Sequence, residues 1–220
     1  RAKARRELLE AQCREWETAR GLESARESRV RLDALLAGPL AGALEVGKEP
    51  EELRREYGPG FGEHCLLARR LVQAGCPFVE VGLSGWAAKA DYRGAVRHRA
   101  GVLDAGMGTL IRDLAEKDLL KSTLVVWCGP HGRSPGLNGG AGRDIAVQGF
   151  SVVLAGGGIR GGRVHGDTGK RGMDCAKPVS PADLAATVLK ACAISNRRYH
   201  GPNHTWSYLD PRARPLDGLF

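Results

Sequence analysis

Between Gly129 and Asp144, GPHGRSPGLNGGAGRD, the chain gathers most of the side chains that could do chemistry: His131, Arg133, Ser134, Asn138, Arg143 and Asp144. A guanidinium offers a planar fork of N–H donors that matches sulfate or phosphate oxygens two at a time. Arg133 and Arg143, with Ser134 and Asp144 beside them, are therefore the candidates for holding a small anion. The same residues have a structural use, in which Asp144, the loop's one acid, pairs with Arg133 or Arg143 and ties the loop down. His131 is a lone imidazole with no acid beside it, whereas a metal site needs three or four ligands. It reads as a loop histidine, with metal or anion binding the lesser reading. A second polar loop, Gly85-Trp86-Ala87-Ala88-Lys89-Ala90-Asp91, carries Trp86, which is either a stacking surface or a lid on the core. His64, on the 62–74 helix, reads as a surface or satisfied residue; His98, His165, His200 and His204 have no ligand spacing, and Asp91 and Asp104 read as solvated charges. The glycines from Gly156 to Gly162 lack G-K-[ST] and precede no helix, so they do not read as a phosphate loop.

The elements that must position these loops follow from periodicity. Thr123-Leu124-Val125-Val126-Trp127-Cys128 is a β-branched run ending at Gly129-Pro130, the pattern of a strand buried on both faces. Pro77 to Leu83 and Phe150 to Ala155 read as further strands, and Gly161 to His165 as a short edge strand. Helices are expected over Glu51–Tyr57, Gly62–Ala74 (stopped by Gly75) and 94–120, where Gly101, Gly106 and Gly108 each cost about 1 kcal/mol against Ala. A last helix begins at Ser180-Pro181-Ala182-Asp183, with Ser180 as N-cap, and turns Leu184, Val188, Leu189 and Cys192 inward. The tail from Asn196 reads as irregular. Residues 1–36 read as a charged surface helix with Leu8, Leu9, Gln12, Trp16 and Ala19 at helical spacing, interrupted at Gly21 and ended by Gly38-Pro39. The alternation of helix and strand favours an α/β body with a mainly parallel sheet between helical layers. The division is a helical arm and connection over 1–57 and an α/β body over 58–220. A loop leaving the carboxyl end of a strand is where such a sheet places its ligand.

Composition limits the alternatives. The 220 residues carry a net charge of +8. Residues 61–220 hold all of it, with 21 Lys and Arg against 13 Asp and Glu. The basic residues are scattered and have no interleaved aromatics. They read as a solvated surface and contain no specific nucleic-acid motif, with polyanion binding a weaker alternative. No stretch approaches the roughly 18 apolar residues of a membrane span. Cys13, Cys65, Cys76, Cys128, Cys175 and Cys192 include no C-x-x-C pair. Cys65, Cys76, Cys128 and Cys192 lie in apolar settings and read as buried, and spacing alone leaves disulfides open. Oligomeric state is not legible.

Taken together, LLARRLVQAGCPFVEV, the Gly85-Trp86 pair, the 124–135 strand and loop, NGGAGRD, FSVVLAGGGIRGGRVHG and PVSPADLAATVLKA resemble the domain-of-unknown-function family 1501. That family is similar in fold to alkaline phosphatases and sulfatases. The resemblance implies a three-layer α/β/α body, incomplete here because members are about twice this long, with this chain as the carboxyl-terminal part. It also implies a bacterial protein exported through a twin-arginine signal. Four positions depart from the family pattern. W-D-T-H reads Trp86-Ala87-Ala88-Lys89, so the Asp and His positions hold Ala87 and Lys89. G-E-F-G-R-[ST]-P has Pro130 at the Glu position, and G-R-D-H-W has Ile145 at the His position. These positions resemble metal ligands in the family, and a divalent ion needs O, N or S lone pairs that Ala, Pro and Ile lack. The expected function is a catalytically impaired relative of metal-dependent ester hydrolases, acting as a binding or structural module with no cofactor. The alternative is an active phospho- or sulfo-ester hydrolase using zinc, calcium or manganese and completed by an amino-terminal half.

Overall fold

A computed structural model describes residues 7–8, 11–12, 23–129, 131–147, 149–169, 177–194, 198–200, 205–207 and 209–220. Leu9, Trp16, Ala19 and Gly21 of the expected first helix, and Cys13, Pro130, Cys175, Asn196 and His204, lie outside the described residues. The chain divides into two compact units: Arg1–Glu49 with Arg70–Val79, and Pro50–Arg69 with Glu80–Phe220.

The first unit holds helices α1 (Glu23–Ala37) and α2 (Pro39–Ala43) and a short 3-10 turn, Val46–Lys48. Mixed charge keeps the described side chains of α1 exposed, Val30 and Leu32 among them. Arg70 organises the end of α2. Its Nε donates to the Ala43 carbonyl at 2.8 Å, its Nη2 donates to the Gly42 carbonyl at 2.6 Å, and its Nη1 meets the Glu49 carboxylate. A cation there adds donors to the last carbonyls of the helix and complements its dipole, although the Gly42 carbonyl also accepts from the Glu45 N–H at 3.3 Å.

In the second unit α3 (Glu51–Tyr57), α4 (Phe61–Gln73, whose last turn from Arg70 belongs to the first unit) and α5 (Tyr92–Glu116) build one packed corner. Tyr57, Leu66, Arg69, Asp113 and Leu114 are buried there. The Tyr57 hydroxyl donates to Asp113 Oδ2 at 2.9 Å, and Arg69 Nε donates to the same oxygen at 2.8 Å. Thr109 Oγ1 adds a bond to the Glu56 carbonyl at 3.1 Å. Gly106, costly in a helix interior, has a packing reason here. A Cβ at that position would lie 2.9 Å from Phe61 Cδ1 and 3.2 Å from Gly62 Cα, so glycine lets α5 reach α4.

Strand β1 (Leu124–Cys128) pairs with β4 (Val152–Gly156) in antiparallel register from Leu124 opposite Gly156 to Cys128 opposite Val152. Two shorter antiparallel pairs join β2 (Gly132–Arg133) to β3 (Ile145–Ala146) and β5 (Arg198–His200) to β6 (Thr205–Ser207). The protein is thus mixed helix and strand, but among the described residues each sheet is a two-stranded antiparallel pair, not the expected parallel sheet. A parallel return needs a crossover of a dozen or more residues, usually a helix. Among the described residues the chain between β1 and β4 contains only the β2–β3 pair and loops, and it comes back antiparallel. Pro77–Leu83 and Gly161–His165 carry no strand pairing, and Phe78 is largely exposed. The tail, expected to be irregular, contains the antiparallel β5–β6 pair.

The last helix, α6 (Pro181–Ala191), begins as expected. Ser180 Oγ accepts from the Asp183 N–H at 3.0 Å and donates to Asp183 Oδ2 at 2.7 Å. Its inner face packs Ala182, Ala185, Ala186 and Leu189 against Leu209 and Ala213. Leu184 and Val188 are half-buried. Cys192, at the helix C-cap, is exposed, as is Cys128 at the end of β1; Cys76 is half-buried, and of the four only Cys65 is buried. These four are free thiols.

Candidate functional site

Strand β1 leads into the polar loop at Gly129, and β2 and β3 hold its two ends together. The Ser134 N–H donates to the Asp144 carbonyl at 2.9 Å, and the Asp144 N–H donates back to Ser134 Oγ at 3.1 Å. Within this frame the loop is organised by Asn138. Its Oδ1 accepts from the Gly140 and Gly142 N–H groups, each at 3.0 Å. Its Nδ2 donates to Asp144 Oδ1 at 3.1 Å and to the Lys89 carbonyl at 3.3 Å. A side-chain amide that mimics backbone turns is the ordinary use of Asn in a glycine-rich loop. Asn138 sits in the Leu-Asn-Gly-Gly turn signature, yet nothing in the sequence says that it also bridges to residue 89.

The segment 86–92 lies along this loop. Ala90 bridges antiparallel to Ala141, the Arg143 N–H donates to the Ala88 carbonyl at 3.1 Å, and the Tyr92 N–H donates to the Ala141 carbonyl at 3.1 Å. A Cβ on Gly142 would run into the Lys89 carbonyl, so this approach requires glycine. Asp91 then caps α5 by accepting from the Gly94 N–H at 3.2 Å. Trp86 stacks edge-on against Trp127 of β1, ring centroids 6.5 Å apart. It is half-buried, which fits a lid on the ribbon better than an open stacking surface.

Both arginines are committed to this framework. Arg133 Nη2 donates to the Trp86 carbonyl at 3.0 Å. Arg143 Nη1 donates to the Ser134 carbonyl at 3.2 Å, and its guanidinium lies 4.9 Å from the centre of the Tyr92 ring, a cation–π contact. Asp144 takes its hydrogen bond from Asn138, so among the described residues neither arginine forms the pair with Asp144 that the sequence offered as the structural alternative. Ser134 is half-buried, with its hydroxyl donating to the Gly136 carbonyl at 2.9 Å. His131, Ala87, Lys89, Asp144 and Ile145 are exposed, and so are His64, His98 and His165.

The structure therefore brings together three segments that the sequence marked separately: 86–90, 132–134 and 141–146. At the positions that resemble the family's metal ligands they present Ala87, Lys89 and Ile145, and Pro130 lies outside the described residues. Two hydrocarbon side chains and an ammonium cannot coordinate a divalent cation. Among the described residues no three His, Cys, Asp or Glu side chains gather as a metal site. The side chains at these three described positions offer a metal no ligand. The polar groups gathered here are guanidinium, hydroxyl and amide donors. A family model described as protein of unknown function (DUF1501) matches residues 3–220. Comparison with curated proteins and with solved structures gives no match.

Proposed function

The chain belongs to the family described as protein of unknown function (DUF1501), and on that premise we propose that it is a metal-free relative of phosphate- and sulfate-ester hydrolases, acting as a binding or structural module. On this reading the α/β body is part of an alkaline-phosphatase-like three-layer domain, and the loop from Gly129 to Asp144 is its former ligand site. The observation that carries the reading is the meeting of the three family segments through backbone hydrogen bonds with Ala87, Lys89 and Ile145 in the ligand positions. The scaffold is kept while the lone pairs are gone.

The ligand class that fits is a small oxyanion held by Arg143 and Arg133, with Ser134 and Asp144 shaping the rim. Arg143 supports this. Its Nε is buried and has no hydrogen-bond partner among the described residues, while Tyr92 and the Ser134 carbonyl fix the guanidinium in place. His131 favours one second reading, a metal-dependent phospho- or sulfo-ester hydrolase whose remaining ligands come from outside these residues.

Elemental analysis separates the two. After dialysis the protein is expected to hold no stoichiometric zinc, calcium or manganese and to leave aryl phosphate and sulfate esters uncleaved. Sulfate or phosphate is expected to raise Tm in the wild type and to do so much less in Arg143→Gln. Stoichiometric metal surviving dialysis overturns the proposal, as does an anion response that Arg143→Gln leaves intact.

A further inference from the structure

We propose that Asn138–Gly139 is a self-modifying site, at which the folded chain promotes succinimide formation and so converts Asn138 to aspartate or isoaspartate. Three observations carry this. First, Asn138 Oδ1 accepts two backbone N–H bonds, from Gly140 and Gly142, each at 3.0 Å. That oxygen takes up negative charge when a nucleophile adds to the side-chain carbonyl carbon, and paired donors aimed at such an oxygen stabilise the addition. Second, the nucleophile for that addition is the Gly139 backbone nitrogen. It takes part in no hydrogen bond among the described residues, and Gly139 is exposed with no side chain to hinder the approach. Third, Nδ2 is held by Asp144 Oδ1 at 3.1 Å and the Lys89 carbonyl at 3.3 Å, so the amide is fixed in one orientation instead of sampling many.

The chemistry balances with water alone. The Gly139 nitrogen bonds to Cγ of Asn138 and gives its proton to solvent. The Cγ–Nδ2 bond breaks, and Nδ2 departs as ammonia after taking up a proton. Water then opens the ring, at Cγ to give aspartate or at the α-carbonyl to give isoaspartate, with no oxidation or reduction. The product replaces a donor by a carboxylate oxygen facing Asp144 Oδ1 and the Lys89 carbonyl. Three acceptors then meet with no donor between them, so the link between the loop and segment 86–90 opens. In isoaspartate the main chain is also longer by one methylene.

The test is peptide mapping by mass spectrometry on the full chain aged in mildly alkaline buffer, once folded and once in urea, following exchange of NH2 for OH at residue 138. The folded chain is expected to modify Asn138 several-fold faster than the denatured chain. Gly139→Ala is expected to suppress the reaction, and a Cβ at Gly139 meets nothing within 4 Å, so the variant leaves the fold intact. A folded-state rate equal to or below the denatured rate overturns the proposal, as does undiminished modification in Gly139→Ala. Neither outcome bears on the metal content of the protein, so this inference and the proposed function fail separately.

Discussion

Asp113 is buried at the corner where α3, α4 and α5 meet, and one of its oxygens serves both the Tyr57 hydroxyl and Arg69. Burial, first, and then the neighbouring Asp113 carboxylate raise the Tyr57 pKa well above its ordinary value of 10.0. Burial alone pushes the Cys65 thiol up to about 11 from 9.0. Both groups hold their protons more tightly folded than unfolded. Their contribution to stability is complete below the unfolded pKa values and is lost as pH rises through the alkaline range. Tyr57→Phe is expected to lower stability at neutral pH by about 1–2 kcal/mol, since it leaves Asp113 one donor short. It should also flatten the fall in stability above pH ~10, leaving the shallower part due to Cys65, as read from urea midpoints across pH. At this scale the sequence was only partly legible. Ser134 is bonded to both Arg143 and Asp144 across the loop, while Arg133 reaches the Trp86 carbonyl. The partner choices, however, belong to the fold: Asn138 takes Asp144, and backbone carbonyls take the arginines.

Elements whose signals are local were the most readable. Ser180, Pro181 and Asp183 announce α6 within four residues. The carboxyl of Asp183 is held below the usual range, first by the Arg214 N–H and then by the Ser180 hydroxyl. Ser180→Ala is expected to cost about 1 kcal/mol through loss of the cap, measurable as a lower urea midpoint without a change in the slope. Helix α3 likewise matches its expected span, and Gly75 ends the α4 turn at φ 91°. Strand pairing was not readable in the same way. An apolar run such as Pro77–Leu83 states a preference, but a ladder requires a partner distant in sequence, and among the described residues this run has none. The antiparallel return of β4 onto β1 depends on the absence of a crossover helix between them, which the sequence shows only if the intervening residues are read as loop.

For the whole molecule, the charge pattern sets the expectation. The excess of +8 is spread over residues 61–220 without clustering. No helix among the described residues is long and apolar enough to cross a membrane. Scattered basic residues give weak association that depends on displaced counterions, so log affinity falls linearly with log salt. Any retention on heparin or DNA is therefore expected to disappear as salt is raised toward physiological strength. Retention unchanged across that range would indicate a built polyanion site, contrary to the scattered charge.

The β1–β4 ribbon has a consequence for handling the protein. LVVWC and VVLAG contain no charged residue and no proline, and among the described residues each strand has one neighbour. Val126 and Val153 are 40% and 43% exposed. Open strand edges without lysine or proline are templates for strand addition between molecules. The ribbon is thus the place from which concentrated solutions would begin to aggregate, and a single lysine at Val126 or Val153 is the conservative way to improve solubility.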